Sequence, residues 1–202
     1  MNVVIFFFLT LITKGNICER KNYVLRKSVN LSKQTHILAS NIDVVFLIIT
    51  ISNPVTSTNF IDRFLLTSNA YSINTILLFN KIDLLDNIEK KVLKKLIEIY
   101  TNIGYECYEI SAKNQYNTDK VESLMKDKVS MFGGHSGVGK STFAMNFGLA
   151  LKAIGLKVGI LDADIYGPSL PKMMSINEKP KSEDGKSMTP ITQYGIQCMS
   201  IG

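Results

Sequence analysis

A complete phosphate-binding P-loop lies in the middle of this 202-residue chain and constrains its fold more than any other feature. In the pattern G-x-x-x-x-G-K-[ST], glycines turn the backbone so that N–H groups point at phosphate oxygens, the lysine reaches the β- and γ-phosphates, and the last hydroxyl binds Mg²⁺. Residues 128–132 before the loop are typical of a strand and residues 142–154 after it of a helix, so the pattern indicates a nucleotide site rather than a chance glycine-rich turn. The candidate phosphate-binding residues are Gly134, His135, Ser136, Gly137, Val138, Gly139, Lys140, Ser141 and Thr142.

The hydrophobic pattern around this loop predicts an α/β fold with a mostly parallel, doubly wound sheet. Residues 44–51 are β-branched or aromatic almost throughout, as expected of a strand that is buried on both faces. Strands and helices alternate along the chain, and in such sheets ligands bind at the carboxyl ends of the strands. The predicted strands are 44–51, 75–79, 106–110, 128–132, 157–161 and 195–201, and the predicted helices are 59–70, 87–103, 118–125 and 142–154.

Polar side chains at two of these strand ends indicate recognition of guanine. Asn80-Lys81-Ile82-Asp83 follows one strand, and Ser111-Ala112-Lys113 follows the next. A buried Asp83 carboxylate could accept hydrogen bonds from N1–H and the exocyclic amine of guanine, and it would reject adenine because adenine would leave it unpaired. Asn80 is expected to tie its loop to the P-loop, and the stem of Lys81 to lie along the base. The alternative is an ordinary strand-to-helix turn with Asp83 near a helix start, but the two loops together with a P-loop favour guanine.

Cysteine usage and the apolar N-terminus bear on other classes of site. Cys18, Cys107 and Cys198 are widely separated and only two histidines are present, so the spacing supports no zinc or cluster site and a reducing, cytoplasmic location fits best. Residues 1–12 are apolar but fall short of the roughly 20 residues needed to span a bilayer. We expect them to form a buried strand or the edge of a truncated domain, and we expect no membrane partner.

The guanine-type loops precede the P-loop, and this order resembles the circularly permuted GTPases of the RsgA family. The resemblance covers about residues 18–142 and is carried by the segments 19–23, 39–43, 60–65, 80–85, 103–105, 111–113 and 134–141. It implies GTP or GDP and Mg²⁺ as ligands and the small ribosomal subunit and its RNA as partners. It also implies that residues 1–27 are a truncated OB-fold remnant and residues 28–142 a permuted GTPase half.

From the P-loop onward, the sequence resembles the Mrp/ApbC family of iron–sulfur cluster carrier ATPases. The run Asp-Ala-Asp-Ile-Tyr-Gly-Pro-Ser at 162–169 is specific to that family, and residues 137–142, 155–159 and 194–202 also match it. This resemblance implies that residues 143–202 are an Mrp-like fragment, with ATP as the alternative nucleotide. It implies catalytic roles for Lys140 and Asp164 and Mg²⁺ binding by Ser141 and Asp162. For Asp164, capping of a helix is an equal alternative.

Two departures from the second family are visible. His135 stands where that family carries an extra lysine, and a histidine is not a fixed cation at neutral pH. The C-x-x-C motif that holds a cluster is absent, so no iron–sulfur cluster is expected.

Three hypotheses follow. The first is a GTP-binding protein of RsgA type with impaired hydrolysis, and the second is an Mrp-type ATP-binding fragment. The third is a chimeric or truncated open reading frame, joined at the P-loop, with no evolved activity. Positioning phosphates is not sufficient for hydrolysis, since the attacking water and the metal must also be placed. The preferred base distinguishes the first two hypotheses, and failure to bind either nucleotide would favour the third.

Overall fold

The computed structural model describes residues 7–10, 19, 21–27, 35–126, 128–155, 158–162, 169–182 and 188–200. These residues form ten strands and five α-helices. The strands are β1 Phe7–Thr10, β2 Tyr23–Lys27, β3 Thr35–Ser40, β4 Val44–Ile49, β5 Asn74–Phe79, β6 Glu106–Glu109, β7 Ser130–Gly134, β8 Gly159–Asp162, β9 Ile191–Gln193 and β10 Ile196–Ser200. The α-helices are α1 Thr58–Ala70, α2 Asn87–Asn102, α3 Thr118–Met125, α4 Lys140–Ala153 and α5 Leu170–Met173, and Ile82–Leu84 form a 3₁₀ turn.

Eight strands form one sheet in the order β6-β5-β4-β7-β1-β8-β10-β9, while β2 and β3 pair with each other in a separate sheet. The neighbours β6, β5, β4 and β7 are parallel, and so are β8 and β10. The predicted α/β fold with a parallel sheet is therefore confirmed. The loops that follow β5, β6 and β7 emerge at the same edge of this parallel part, which brings the guanine-type loops beside the P-loop.

Strand β4 is buried on both faces, as its uninterrupted apolar sequence predicts. Val44, Phe46 and Ile48 pack in a cluster with side chains of α3 and α4. Leu47 and Ile49 pack in another cluster with side chains of α1 and α2. Because side chains alternate across a strand, this division places two helices on each face of the sheet, which is the doubly wound arrangement.

Helix α2 has clear end signals in the sequence. The Asp86 side chain accepts hydrogen bonds from the backbone N–H groups of Ile88 and Glu89, and the Glu89 carboxylate accepts from the Asp86 N–H, which completes a capping box. Gly104 follows the helix with a φ of 99°, a conformation that glycine adopts without strain. These signals end the helix within one residue of the predicted boundary. No helix in the described part of the chain is both long and apolar enough to cross a membrane.

The N-terminal strand β1 corrects the prediction of the sheet in one respect. β1 runs antiparallel to both of its neighbours and lies between β7 and β8. The predicted segment 1–12 thus contributes a strand inside the main sheet, and the P-loop strand and β8 are not adjacent. The apolar pattern of a strand records which faces are buried but not its direction or its neighbours, so the sequence could not have indicated this insertion.

The predicted boundary between residues 27 and 28 falls inside the β2–β3 pair. Of the two described strands before that boundary, β1 belongs to the main sheet and β2 to the separate pair. The origin of residues 1–27 as an OB-fold remnant remains a proposal that rests on sequence resemblance.

Candidate nucleotide-binding site

The P-loop connects β7 to α4 and requires glycine at three positions. A Cβ on Gly134 would lie 2.6 Å from the carbonyl oxygen of Ile48, and one on Gly139 would lie 3.0 Å from Asn80 Nδ2. Both positions have a positive φ, 148° and 93°, and Gly137 has a φ of 84°. Glycine is therefore needed for the positive φ of the backbone, and also because Ile48 and Asn80 lie too close to Gly134 and Gly139 to leave room for a side chain. The loop has the shape that the motif predicts.

Lys140 is the first residue of α4 and is buried, with an exposed fraction of 3%. Its ammonium group donates a hydrogen bond to the carbonyl oxygen of His135, across the P-loop. The lysine head therefore lies inside the curl of the loop, where the sequence predicts a cation for phosphate oxygens.

Asn80 connects three loops. Its Nδ2 donates to the carbonyl oxygen of Val138 in the P-loop at 3.0 Å, and its Oδ1 accepts from the backbone N–H of Ala112 at 3.1 Å. Asn80 is buried, so each of these bonds replaces one that water could have made. The contact with the P-loop is the one that the sequence predicts, and the contact with Ala112 extends it to the loop that follows β6.

Lys81 provides another connection to the P-loop. Its ammonium group donates to the carbonyl oxygen of Gly137 at 2.9 Å and also to the carbonyl oxygen of Asn53. The backbone of Lys81 is left-handed, with a φ of 65°. The side chain thus crosses from the guanine-type loop to the middle of the P-loop, with its stem between the two.

Asp83 differs from its prediction in burial. The sequence argument assumes a buried carboxylate, but Asp83 is exposed. Its Oδ1 accepts a hydrogen bond of 2.6 Å from the hydroxyl of Ser111, which is itself buried and also accepts from the backbone N–H of Asn114 at 3.2 Å. The carboxylate lies in a 3₁₀ turn in which no residue is buried. Ser111 therefore positions Asp83 instead of lining the cavity itself.

The three loops and α4 line an open cavity of about 780 Å³. Its walls bring together Asp83 and Lys113 from the guanine-type loops and Thr142 from the start of α4. Drug-sized ligands occupy cavities of this size, roughly 300–1,000 Å³. The cavity is also lined by Asn80, Lys81, Leu84, Ala112, Gln115, Thr118, Gly139, Phe143, Asn146, Phe147, Leu149 and Ala150.

His135 packs against the aromatic ring of Phe60, with 3.8 Å between the ring centroids. Burial lowers the pKa of His135 from its usual 6.5, and the nearby ammonium of Lys140 lowers it further. The imidazole is therefore neutral near pH 7, and it does not supply the positive charge of the lysine that it replaces. The neighbouring Ser136 is exposed.

The proposed metal ligands lie where the P-loop helix meets the segment after β8. Asp162 is fully buried, and its Oδ2 accepts hydrogen bonds of 2.9 Å from the backbone N–H groups of Ser169 and Leu170. This carboxylate therefore holds the start of α5. The hydroxyl of Ser169 donates to the hydroxyl of Ser141 at 2.7 Å. Asp164 lies outside the described residues.

The donor set at this junction suits Mg²⁺, which prefers hard oxygen ligands. The hydroxyl oxygens of Ser141 and Ser169 lie next to each other there. The buried carboxylate of Asp162 accepts a hydrogen bond from the backbone N–H of Ser169. No group of three or more His, Cys, Asp or Glu side chains in the described ranges, this junction included, could hold a metal ion.

Sequence reasoning missed two contributors to the site. Phe60 lies on α1 and meets His135 of the P-loop only through the fold. Segment 60–65 resembles the RsgA family, but that resemblance did not indicate this contact. Ser169 is the last residue of the Asp-Ala-Asp-Ile-Tyr-Gly-Pro-Ser run, which the sequence singles out. Its contact with Ser141 was not predicted, because the two residues are 28 positions apart in the chain.

A family model described as RsgA GTPase matches residues 17–154, more than half of the chain. The chain belongs to the RsgA GTPase family. The predicted resemblance is thereby confirmed, and it includes the segment that carries Asn80, Asp83, Ser111 and the P-loop.

Curated relatives in this family are named small ribosomal subunit biogenesis GTPase RsgA. The relative from Flavobacterium johnsoniae is 59% identical over 142 residues, which are 69% of this chain and 44% of the relative. The relative from Christiangramia forsetii is 60% identical over 126 residues, which are 62% of this chain and 40% of the relative. The chain thus spans less than half the length of these relatives.

Two solved structures resemble the fold. YjeQ from Thermotoga maritima aligns with a TM-score of 0.55 and 34% identity over 66% of this chain and 44% of that one. YloQ, described as a circularly permuted GTPase, aligns with a TM-score of 0.50 and 23% identity over 72% of this chain and 57% of that one. The latter supports the fold alone.

A second family model, described as NUBPL iron-transfer P-loop NTPase, matches residues 124–202. The predicted second resemblance is also confirmed. The two matches overlap at residues 124–154, which hold β7, the P-loop and α4.

Proposed function

We propose that this chain binds a guanine nucleotide, GDP or GTP, in the cavity between the P-loop and the loops after β5 and β6. Membership of a GTPase family implies nucleotide binding. The site is chosen because the Asn80 side chain makes two hydrogen bonds, one to the carbonyl of Val138 and one from the N–H of Ala112. These bonds hold a phosphate-type loop and both guanine-type loops around one cavity, so a nucleotide could contact all three at once.

The base would be recognised by Asp83. Its carboxylate accepts from Ser111, which restrains its orientation and leaves acceptor capacity for N1–H and the exocyclic amine of guanine. Asp83 would become buried only when a base covers it. Adenine then offers no matching pair of donors, and the desolvated carboxylate would be unpaired.

The phosphates would lie over the P-loop, with Lys140 and the backbone N–H groups as donors. Mg²⁺ would be held by the hydroxyl of Ser141 at the start of α4. When bound, the cation neutralises charge on the β- and γ-phosphate oxygens. Asp162 supports this junction through the backbone of Ser169, and a direct role for Asp164 in hydrolysis stays a prediction.

The relatives are named for biogenesis of the small ribosomal subunit. We propose that the small ribosomal subunit is also a partner of this chain. We expect hydrolysis to be impaired, because the match to the GTPase family ends at residue 154, just after α4, and the attacking water would need residues from the Mrp-like part.

Titration with fluorescently labelled GDP and ADP tests the proposal. Tighter binding of GDP by at least about 100-fold is expected, since a site built to pair with donors on the base discriminates strongly against their absence. Tighter binding of ADP would instead favour the ATP-binding alternative, to which the match at residues 124–202 points. Binding of neither nucleotide, together with non-cooperative melting, would favour the chimeric reading frame without evolved activity.

A further inference from the structure

The side chain of His135, the second residue of the P-loop, makes a contact that the phosphate-binding motif does not specify. Its imidazole lies against the ring of Phe60, with 3.8 Å between the ring centroids and 43° between the ring planes. Phe60 is buried in the core cluster that α1 and α2 form with β4, so it is a firm support on one side of the imidazole. This contact restricts the orientation of the His135 ring.

The ammonium group of Lys140 lies beside His135. It donates a hydrogen bond to the His135 carbonyl oxygen. Burial lowers the pKa of the imidazole, and the charge of this ammonium lowers it further. Because the lysine of a P-loop reaches the β- and γ-phosphates, the imidazole is a neighbour of the group that would bind the last phosphates of a nucleotide.

The ring nitrogens of His135 are available to a ligand. Neither nitrogen makes a hydrogen bond with any residue that the structure describes, and the side chain is only half-buried. Of the two groups that lie against the residue, Phe60 on α1 is uncharged and Lys140 on α4 is a cation. A neutral imidazole has one N–H donor and a protonated one has two, so a phosphate oxygen can accept from either and binds the protonated ring more strongly.

We propose that the imidazole of His135 donates a hydrogen bond to the terminal phosphate of a bound nucleoside triphosphate, and that this contact favours GTP over GDP increasingly as the pH falls. The role rests on the proposed function, because it needs a nucleotide in the P-loop. Phe60 is the positioning residue that holds the ring. Since the pKa of His135 in the free chain lies below 6.5, phosphate binding takes up a proton as the pH falls toward that lower value, and triphosphate affinity rises over the same range.

Proton NMR of the histidines tests this proposal without any measurement of turnover. The chain contains only His36 and His135, so the two Cε1–H signals are assigned with one variant, His36→Gln. Binding of the non-hydrolysable GTP analogue GMPPNP with Mg²⁺ should raise the pKa of His135 by about one pH unit, and GDP should raise it clearly less. His36 lies on β3 in the separate two-stranded sheet, and its pKa should not change.

Nucleotide affinities give a second readout. From pH 8 to pH 5, the preference of the unsubstituted chain for GMPPNP over GDP should rise by up to about tenfold relative to that of His135→Gln. Glutamine keeps a hydrogen-bonding side chain but does not titrate, so this variant reports the pH dependence of the nucleotides themselves. Phe60→Leu keeps an apolar side chain in the core and should reduce the effect, because the imidazole loses its aromatic partner. Leu66→Ala, at an exposed position of α1, is the control and should retain it.

The outcomes separate this role from the proposed function. If the unsubstituted chain binds neither GDP nor GMPPNP, the proposed function is wrong and the role of His135 falls with it. If both nucleotides bind, an unchanged pKa of His135 in the GMPPNP complex disproves the phosphate contact alone. An equal rise in the two complexes places the ring at a phosphate that GDP also has, and it contradicts selection of the triphosphate.

Discussion

Asn80 Nδ2 donates a hydrogen bond to the carbonyl oxygen of Val138 at 3.0 Å, although 58 residues separate the two in sequence. With the bond from Ala112 N–H to Asn80 Oδ1, this contact makes one buried side chain the common support of three loops. The proposed nucleotide site therefore depends on a residue whose hydrogen bonds are made to the loops of the protein itself.

Asn80→Ala should destabilise the fold and weaken GDP binding together. The substitution leaves the buried carbonyl of Val138 and the half-buried N–H of Ala112 without these hydrogen bonds, at a cost of about 2 kcal/mol in the free energy of unfolding. Urea denaturation measures that loss, and a GDP titration should show affinity reduced by about tenfold or more. Asn102→Ala, at the exposed last residue of α2, is the control. Equal effects at both positions would contradict the bridging role.

Gly139→Ala and Gly155→Ala form a matched pair. Their φ values are 93° and 91°, so alanine is strained at both by about 1 kcal/mol. Only Gly139 has a close neighbour, since its added Cβ would lie 3.0 Å from Asn80 Nδ2, whereas nothing lies within 4 Å at Gly155. Thermal melts should show similar strain in both variants, but GDP affinity should fall only for Gly139→Ala. A comparable loss of affinity in Gly155→Ala would disprove the steric argument.

Asp83→Asn should alter which base is bound. The change replaces one carboxylate acceptor with an amide donor, which fits the carbonyl of xanthine at C2 better than the amine of guanine. GDP affinity should fall by about 100-fold, and the affinity for xanthosine diphosphate should rise. Competition between the two nucleotides measures the exchange, with Asp119→Asn, an exposed position in the first turn of α3, as control. Unchanged preference would remove Asp83 from the site.

His135 should make stability dependent on pH in the acidic range. Its pKa is lowered in the folded chain by burial and by Lys140, so the unfolded chain binds the proton more tightly. The stabilisation is present above the ordinary pKa of 6.5 and is lost as pH falls through the lower, folded value. Urea denaturation without nucleotide, from pH 8 to pH 5, should show this decline, and His135→Gln should flatten it. Parallel curves for the two proteins would contradict the prediction.

The local sequence predicted most elements of the fold to within one or two residues. The apolar run of β4, the capping residues of α2 and the glycines of the P-loop each act over a few neighbouring positions, so they are visible without the fold. Their order also predicted the permuted arrangement of the loops, because the carboxyl ends of parallel strands meet at one edge of a sheet.

The sequence predicted less about which partners side chains choose. It took Asp83 to be buried, whereas Asp83 is exposed. It did not indicate that an Asp162 oxygen accepts hydrogen bonds from backbone N–H groups at the start of α5, and Mg²⁺ binding by Asp162 stays a prediction. Both carboxylates are at strand ends, as expected, but burial and hydrogen bonding depend on segments distant in sequence.

The sequence alone thus determined the kind of site, because a P-loop and guanine-type loops are local patterns whose backbone conformation and chemistry follow from a few adjacent residues. Only the tertiary structure decided that β1 enters the sheet between β7 and β8, and that Ser169 meets Ser141. Strand pairing and contacts across the sheet form between residues far apart in the chain. Their choice is set by the packing of the whole molecule and not by any local preference.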